Sequence, residues 1–310
     1  MPSLVFVTAI ASAALDDDMP LLLAACQRLG LSAEVRAWDD FTVSWGRYDA
    51  VVLRSTWDYV ERLPAFLHWC ERVDRVSRLL NPLPVLRWNV DKHYLNDLDA
   101  AGIPVVPTRF VEVDAEPLPA LQACLAEYAD AAEIVVKPTV SAGSRDTQRY
   151  RHDQSFAAAN HIGRLLDAGR SVMVQPYLDA VDTRGETALL YFDGVFSHAI
   201  RKAALLRPGE APVDHTQLPD AIAPRTPDDD EMQLADAVIA ALEPRGGGRP
   251  LYARVDLIRD GEARPRLLEV ELVEPSLFFD TVPEAADRFA AALVRLLQAG
   301  IHPAGAQDPP

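Results

Sequence analysis

Between Arg254 and Glu274 the chain reads RVDLIRDGEARPRLLEVELVE. Two runs of alternating apolar and polar residues flank a turn around Asp260-Gly261, the pattern of a hairpin. Val255, Leu257, Leu268, Val270 and Leu272 supply its buried face. Pairing across the turn sets Asp256 opposite Glu269 and Arg254 opposite Glu271. Glu269 and Glu271, two residues apart, share a face with Asp256. Like charges facing each other destabilise a sheet. A hard divalent cation, Mg²⁺ or Mn²⁺, relieves that repulsion and takes oxygen ligands of this kind. Mg²⁺ held by few carboxylates completes its shell with substrate phosphates, which points to a nucleoside triphosphate. A solvated acidic edge with Arg254 as counter-ion is the simpler explanation of the hairpin taken alone. Phosphate-binding groups elsewhere must decide.

Several segments offer such groups. Asn89 reads as a helix N-cap, which puts Lys92 in the first turn, where the helix dipole disfavours a cation. Lys137 ends the apolar strand EIVVKP; buried there it needs an anion, and otherwise it snorkels to the surface. The loop Ser141-Ala142-Gly143-Ser144 follows, and its small residues let backbone N–H groups approach phosphate oxygens. Such loops are also common turns. It does not match the Walker pattern, and no dinucleotide fingerprint follows the first strand. The segment VMVQPYLDAVD (172–182) leaves a buried strand; it suits an adenine edge, with Asp182 on ribose hydroxyls, or a connection between domains. Arg201 and Lys202 end another strand. Pairing about Asp193-Gly194 sets Glu186 opposite Arg201 and leaves Lys202 without a partner. Trp57 and Trp88 read as packing residues. The histidines have no metal-ligand spacing, and there is no nucleophile elbow around a serine.

These groups need a scaffold. The first ninety or so residues alternate strand (LVFVTAI), helix (Met19 to Leu29), strand (Ala33 to Trp38), strand (Tyr48 to Arg54) and helix (Leu63 to Val73). That alternation predicts a parallel sheet covered by helices, with ligands beyond the carboxyl ends of its strands. Thr8 to Ser12 and Ser55 to Asp58 lie there. A helix from Asn89 to Gly102 follows, then strands at 105–111, 133–138 and 171–178 and helices at 118–128 and 155–168. From Gly185 the pattern turns antiparallel. The proline-rich stretch 204–227 reads as a long surface loop over a site. A helix (Asp228 to Leu242), the acidic hairpin and a helix (Pro283 to Leu297) close the chain. The fold class is α/β, becoming α+β in the C-terminal part, divided at 1–88, 89–178 and 179–300, with a frayed tail at 301–310.

Composition narrows the options. The chain has 310 residues, enough for two or three compact units, and a net charge of −16. That charge opposes a basic face for nucleic acid and repels anionic membranes, so any phosphate site is a local cluster of cations. Cys26, Cys70 and Cys124 sit in helix-like stretches, and neither a disulfide framework nor a zinc site fits their spacing. The N-terminus lacks a basic leader and no apolar run is long enough to span a bilayer. The expected setting is the reducing cytoplasm.

In their order and spacing these residues resemble the ATP-grasp family over about residues 85–300, preceded by the α/β domain that introduces the grasp. The resemblance implies ATP and Mg²⁺, with Mn²⁺ as an alternative ion. Lys92 and Lys137 would contact the phosphates and Ser141, Gly143 and Ser144 would cover them. Gln175, Tyr177 and Leu178 would meet adenine, and Asp182 ribose. Arg201, Lys202 and Arg254 would be the catalytic cations, and Asp256, Glu269 and Glu271 the metal ligands. One departure stands out: EVELVEPS carries Glu271 where many members have Asn, and Glu274 is a further candidate ligand. LRSTWDY (53–59), Asn81-Pro82, WNVDKHYL and AGIPVVPT (88–108) resemble the ATP-grasp enzymes of D-cycloserine biosynthesis, which cyclise O-ureido-D-serine. A small amino-acid-like substrate would then meet Arg54, Ser55, Thr56, Asp58 and Ser276; a cap suits Asp58 and a turn suits Ser276 equally well. A homo-oligomer is compatible with all of this. The alternatives are an intermolecular carboxylate-amine ligase of the same family and a non-catalytic nucleotide-binding regulator.

Overall fold

The computed structural model describes residues 2–207, 221–242 and 249–299. The element order is β1 (Ser3–Thr8), α1 (Asp18–Arg28), β2 (Ser32–Ala37), β3 (Ala50–Leu53), α2 (Leu63–Asp74), β4 (Arg78–Leu80), α3 (Leu83–Asn89), α4 (Tyr94–Ala100), β5 (Arg109–Val111), α5 (Pro117–Glu127), β6 (Glu133–Pro138), β7 (Gln148–Arg151), α6 (Ser155–Asp167), β8 (Val172–Pro176), α7 (Ala180–Arg184), β9 (Glu186–Phe192), β10 (Val195–Lys202), β11 (Ile222–Arg225), α8 (Asp229–Leu242), β12 (Tyr252–Arg259), β13 (Pro265–Glu271) and α9 (Glu284–Ala299).

The N-terminal sheet has the order β2-β1-β3-β4 and is wholly parallel. Its near-continuous apolar strands, Leu4 to Val7 and Ala50 to Leu53, are buried on both faces, as a parallel sheet requires. The central sheet is antiparallel, β5-β8-β6-β7, and has its own core from Val111 to Val174 with α5 and α6. The C-terminal sheet is antiparallel, β11-β10-β9-β12-β13.

The two outer sheets each have a core on one face and share another. Leu4, Phe6, Leu22 and Val52 share one apolar cluster with Leu190, Tyr252, Phe289 and Leu293, so α9 lies between the N-terminal and C-terminal sheets. The expected division at 88/89 falls inside α3.

Three local expectations change. Asn89 is the last residue of α3, not a cap. Its amide donates to the Val270 carbonyl at 2.8 Å and accepts from the Leu272 N–H at 2.8 Å, tying it to β13. The stretch 204–227 is not all loop: Ile222–Arg225 is an edge strand on β10, while 208–220 lies outside the described residues, as does the expected tail. In the acidic hairpin Asp256 faces Glu269 and Arg254 faces Glu271 as expected, but a bulge beyond Asp256 pairs Leu257 with Leu267. Leu267 takes the core position and Leu268 turns to the opposite face. Cys26, Cys70 and Cys124 are free and buried.

Candidate active site

The sheets converge on a cavity of about 610 Å³. One end is apolar: Val106, Tyr177, Leu178, Ile258 and Leu268 line it, with Gln175 held by donating to the Thr108 hydroxyl at 2.8 Å. The bulge in β13 makes this possible, because it turns Leu268 into the cavity beside Glu269.

The middle of the cavity is a charge cluster. Asp256, Glu269 and Glu271 each offer an oxygen, and these atoms lie within 4.8 Å of one another. Such an all-oxygen donor set suits a hard divalent cation. Asp256 is fully buried and accepts from Lys202 at 2.7 Å and from two Arg254 nitrogens at 2.9 Å each. Arg254 also pairs with Glu271. Burial works against ionising Asp256, but Arg254 and Lys202 outweigh it and hold the carboxyl below its ordinary value. Glu269 is likewise held down, to about 2, against burial, by Lys92, Lys137 and Lys202. Glu271 goes the other way: burial pushes it up to about 7, Arg254 opposes, and Glu269 and Asp256 add to the rise. Glu274 is pushed up to about 8 by burial and by Glu271.

The cations come from separate elements. Lys92 sits between α3 and α4; its backbone N–H donates to the Thr139 carbonyl at 2.9 Å, and its ammonium lies 3.6 Å from Glu269 and donates to the Ser141 carbonyl at 3.2 Å. Lys137 ends β6 almost wholly buried, and burial depresses its pKa. The loop after β6 holds Gly143, Ser144 and Asp146 at φ of 61°, 56° and 56°. Gly143 and Ser144 make a tight turn closed by the Arg145 N–H donating to the Ala142 carbonyl at 3.3 Å, which brings small residues to the cavity wall.

The fold and this cavity define an ATP-grasp ligase, a class whose members in general use ATP and Mg²⁺. The family described as D-cycloserine synthetase DcsG, N-terminal domain, matches residues 4–81. The cycloserine biosynthesis protein DcsG of Streptomyces lavendulae is 45% identical over 96% of this chain and 100% of its own length. The crystal structure of D-cycloserine synthetase DcsG superposes with a TM-score of 0.90 at 44% identity, covering 95% of this chain and 99% of that one. More distant likenesses carry the fold alone. The ligase PsnB with its minimal precursor, Mg and ADP gives a TM-score of 0.63 at 17% identity over 95% and 98% of the two chains. D-alanine–D-alanine ligase of Bacillus anthracis gives 0.67 at 15% over 97% and 99%. The chain belongs to the D-cycloserine synthetase family of ATP-grasp ligases. Among the described residues no helix is long and apolar enough to cross a membrane.

The structure gathers Lys92, Lys137, Ser141, Gly143, Ser144, Gln175, Tyr177, Leu178, Lys202, Arg254, Glu269, Glu271, Glu274 and Ser276 around the cavity, with Asp256 buried behind them. Apart from Asp256, six expected positions lie outside the lining. Arg54, Ser55 and Thr56 are fully buried and do not line the cavity. Arg54 pairs with Asp18 at 3.3 Å, and the Ser55 hydroxyl donates to that of Thr8 at 2.9 Å. Asp58 is held outside the cavity by Trp38, at 2.9 Å, and by Arg62. Arg201 donates to the Arg184 carbonyl at 2.8 Å, away from the cavity. Glu186 meets Lys202 instead, at 2.7 Å, because an irregularity in β10 between Phe196 and His198 shifts the register by one residue. Lys202 therefore has two carboxylate partners, where none was expected. Asp182 lies just outside the lining and accepts from Tyr177 at 2.5 Å and Arg149 at 3.1 Å.

The sequence reading missed the groups that carry the acidic hairpin. Asn81 donates to the carbonyls of Tyr252 and Leu272, at 2.9 and 2.8 Å, and accepts from the Leu251 N–H at 2.7 Å. With Asn89 it satisfies the backbone of the edge strand β13 and of the entry to β12. Asn81 precedes helix α3 and Asn89 ends it, and a buried asparagine is a signal only once its surroundings are known.

Proposed function

We propose that this enzyme activates the carboxylate of O-ureido-D-serine as an acyl phosphate and closes it to D-cycloserine, releasing ADP and phosphate. The apolar end, with Gln175, Tyr177, Leu178 and Leu268, takes adenine, and Asp182 is in reach of the ribose once Tyr177 or Arg149 yields. Lys92, Lys137 and the 141–144 loop bind the phosphates. Mg²⁺ held by Asp256, Glu269 and Glu271, when bound, neutralises phosphate charge. Lys202 and Arg254 lie at the same acids and stabilise the charge on the transferring phosphoryl group. Glu274, its pKa raised by burial and by Glu271, lines the cavity beside these acids. Ser276 faces the substrate end.

In the first step a substrate carboxylate oxygen bonds to the γ-phosphorus and the bond to ADP breaks. The nitrogen attached to the side-chain oxygen then attacks the carbonyl carbon, expels phosphate and closes a five-membered ring. The carbamoyl group on that nitrogen leaves with one water, as carbamate. The cavity walls serve by holding the substrate folded and the acyl phosphate dry.

The observation that carries this reading is the convergence of three carboxylate oxygens and three lysines in one cavity, in a chain 45% identical to a cycloserine biosynthesis protein. Mass spectrometry of a reaction of ATP, Mg²⁺ and O-ureido-D-serine tests it. D-cycloserine and ADP should form in equal amounts without added amine, and chelation by EDTA should stop both. ADP release that depends on a second amine would replace cyclisation by intermolecular ligation.

A further inference from the structure

Arg54, expected on the substrate, is instead buried against a loop that does line the cavity. Asp18 opens α1 and Arg54 follows β3, and their side chains are 7% and 1% exposed. Asp18 accepts from the Leu277 N–H at 2.6 Å and from the Phe279 N–H at 2.7 Å, one on each carboxylate oxygen. Arg54 donates to the Pro275 carbonyl at 3.0 Å. Phe278, at φ 55°, lies between the two donated amides, and a left-handed residue there lets two N–H groups converge on one anion. The segment so held carries Ser276 and Phe278 into the cavity. Its Ser276 carbonyl accepts from Arg254 at 3.3 Å, and the Arg254 guanidinium lies 5.6 Å from the Phe278 ring.

We propose that Asp18 and Arg54 are positioning residues: the buried pair sets the backbone of 275–279, and through the Ser276 carbonyl it sets Arg254 in the charge cluster at the middle of the cavity. The inference rests on the reading above, in which the nucleotide takes the end beside Lys92, Lys137 and Gln175. Asp18 also borders the cavity, but its carboxylate is spent on Arg54 and the two loop amides, so it acts through the loop it holds. An unpaired buried charge is costly, whereas a buried pair replaced by apolar groups of similar size is often tolerated. A single substitution therefore mixes stability with positioning, and a double substitution separates them.

The test compares wild type, D18L/R54M and D18N by amide hydrogen exchange, by ADP·Mg²⁺ affinity and by steady-state kinetics. In D18L/R54M the amides of Leu277 and Phe279 should lose protection. ADP·Mg²⁺ affinity should stay within about two-fold, while kcat/KM for the carboxylate substrate falls about 100-fold, as expected when a reacting group is misplaced rather than removed. D18N keeps the size and one acceptor and should fall between the two; it carries the test if the double variant does not fold. Wild-type protection at Leu277 and Phe279, or a parallel loss of nucleotide affinity and turnover, overturns the proposal. If the wild type releases no ADP with O-ureido-D-serine while the substitutions still free those two amides and spare nucleotide affinity, the substrate is wrong and the positioning role stands.

Discussion

Asp256 and Glu269 look alike in the sequence but answer differently to neutralisation. Asp256 lies between Lys202 and Arg254 with no exposure, so Asp256→Asn leaves two buried cations short of a counter-charge. Removing one partner of a buried pair costs about 3–5 kcal/mol, and urea unfolding of D256N should show a loss of that order along with lost ADP release. Glu269 is more open and its nearest cation, Lys92, is 3.6 Å away. Glu269→Gln should lower ADP release by at least about 100-fold with a stability loss of about 2 kcal/mol, since Lys92 and Lys137 lose a counter-charge. E269Q is thus the cleaner test of the metal assignment, and near-normal activity in it would remove Glu269 from the ligand set.

Gly185 shows how an element sets a site. It joins α7 to β9 at φ 74°, and a Cβ there would stand 2.3 Å from the Lys202 carbonyl oxygen. That contact is backbone, which cannot swing aside, so Gly185→Ala should cost about 3 kcal/mol or more and pull Lys202 from Asp256. Unfolding midpoints and ADP release measure both effects. Lys202 also marks how far the sequence could be read at this scale. Most strands, the two hairpins and the pairing of Asp256 with Glu269 were legible, because alternation and turn residues report directly on local backbone; the short strands β4, β7 and β11 were not. The irregularity between Phe196 and His198 was not, and one residue of slip moved Glu186 from Arg201 to Lys202. The bulge at Leu268 was hidden in the same way: LLEVE alternates on paper whichever leucine enters the core. Asn89 has the composition of a cap and the job of a sheet edge, a difference set by tertiary contacts with β13.

At the scale of the whole molecule, acid should unfold this protein earlier than its carboxylates alone would. Burial holds His161 in α6 and His198 in β10 down to about 4. Both stay neutral in the fold, with His161 bonded to Tyr150 at 3.1 Å and His198 to the Leu277 carbonyl at 2.9 Å. In the unfolded chain they take protons near pH 6.5. The histidines' contribution is therefore whole above about pH 6.5 and falls as pH drops toward about 4, by on the order of 5 kcal/mol for the pair, while Glu271 and Glu274, raised by burial, take up protons in the fold and oppose it. H161Q/H198Q should start lower but lose less over that interval, read from urea midpoints. An equal slope in the two proteins would place the acid sensitivity elsewhere. The lobe around the central sheet closes its own core from Val111 to Val174, whereas the outer sheets are joined through α9. Residues 1–88 are accordingly no transferable cassette. A chimera that swaps them between relatives inherits a seam cut through one hydrophobic interior, and it should be soluble only when the partner's final helix travels with them.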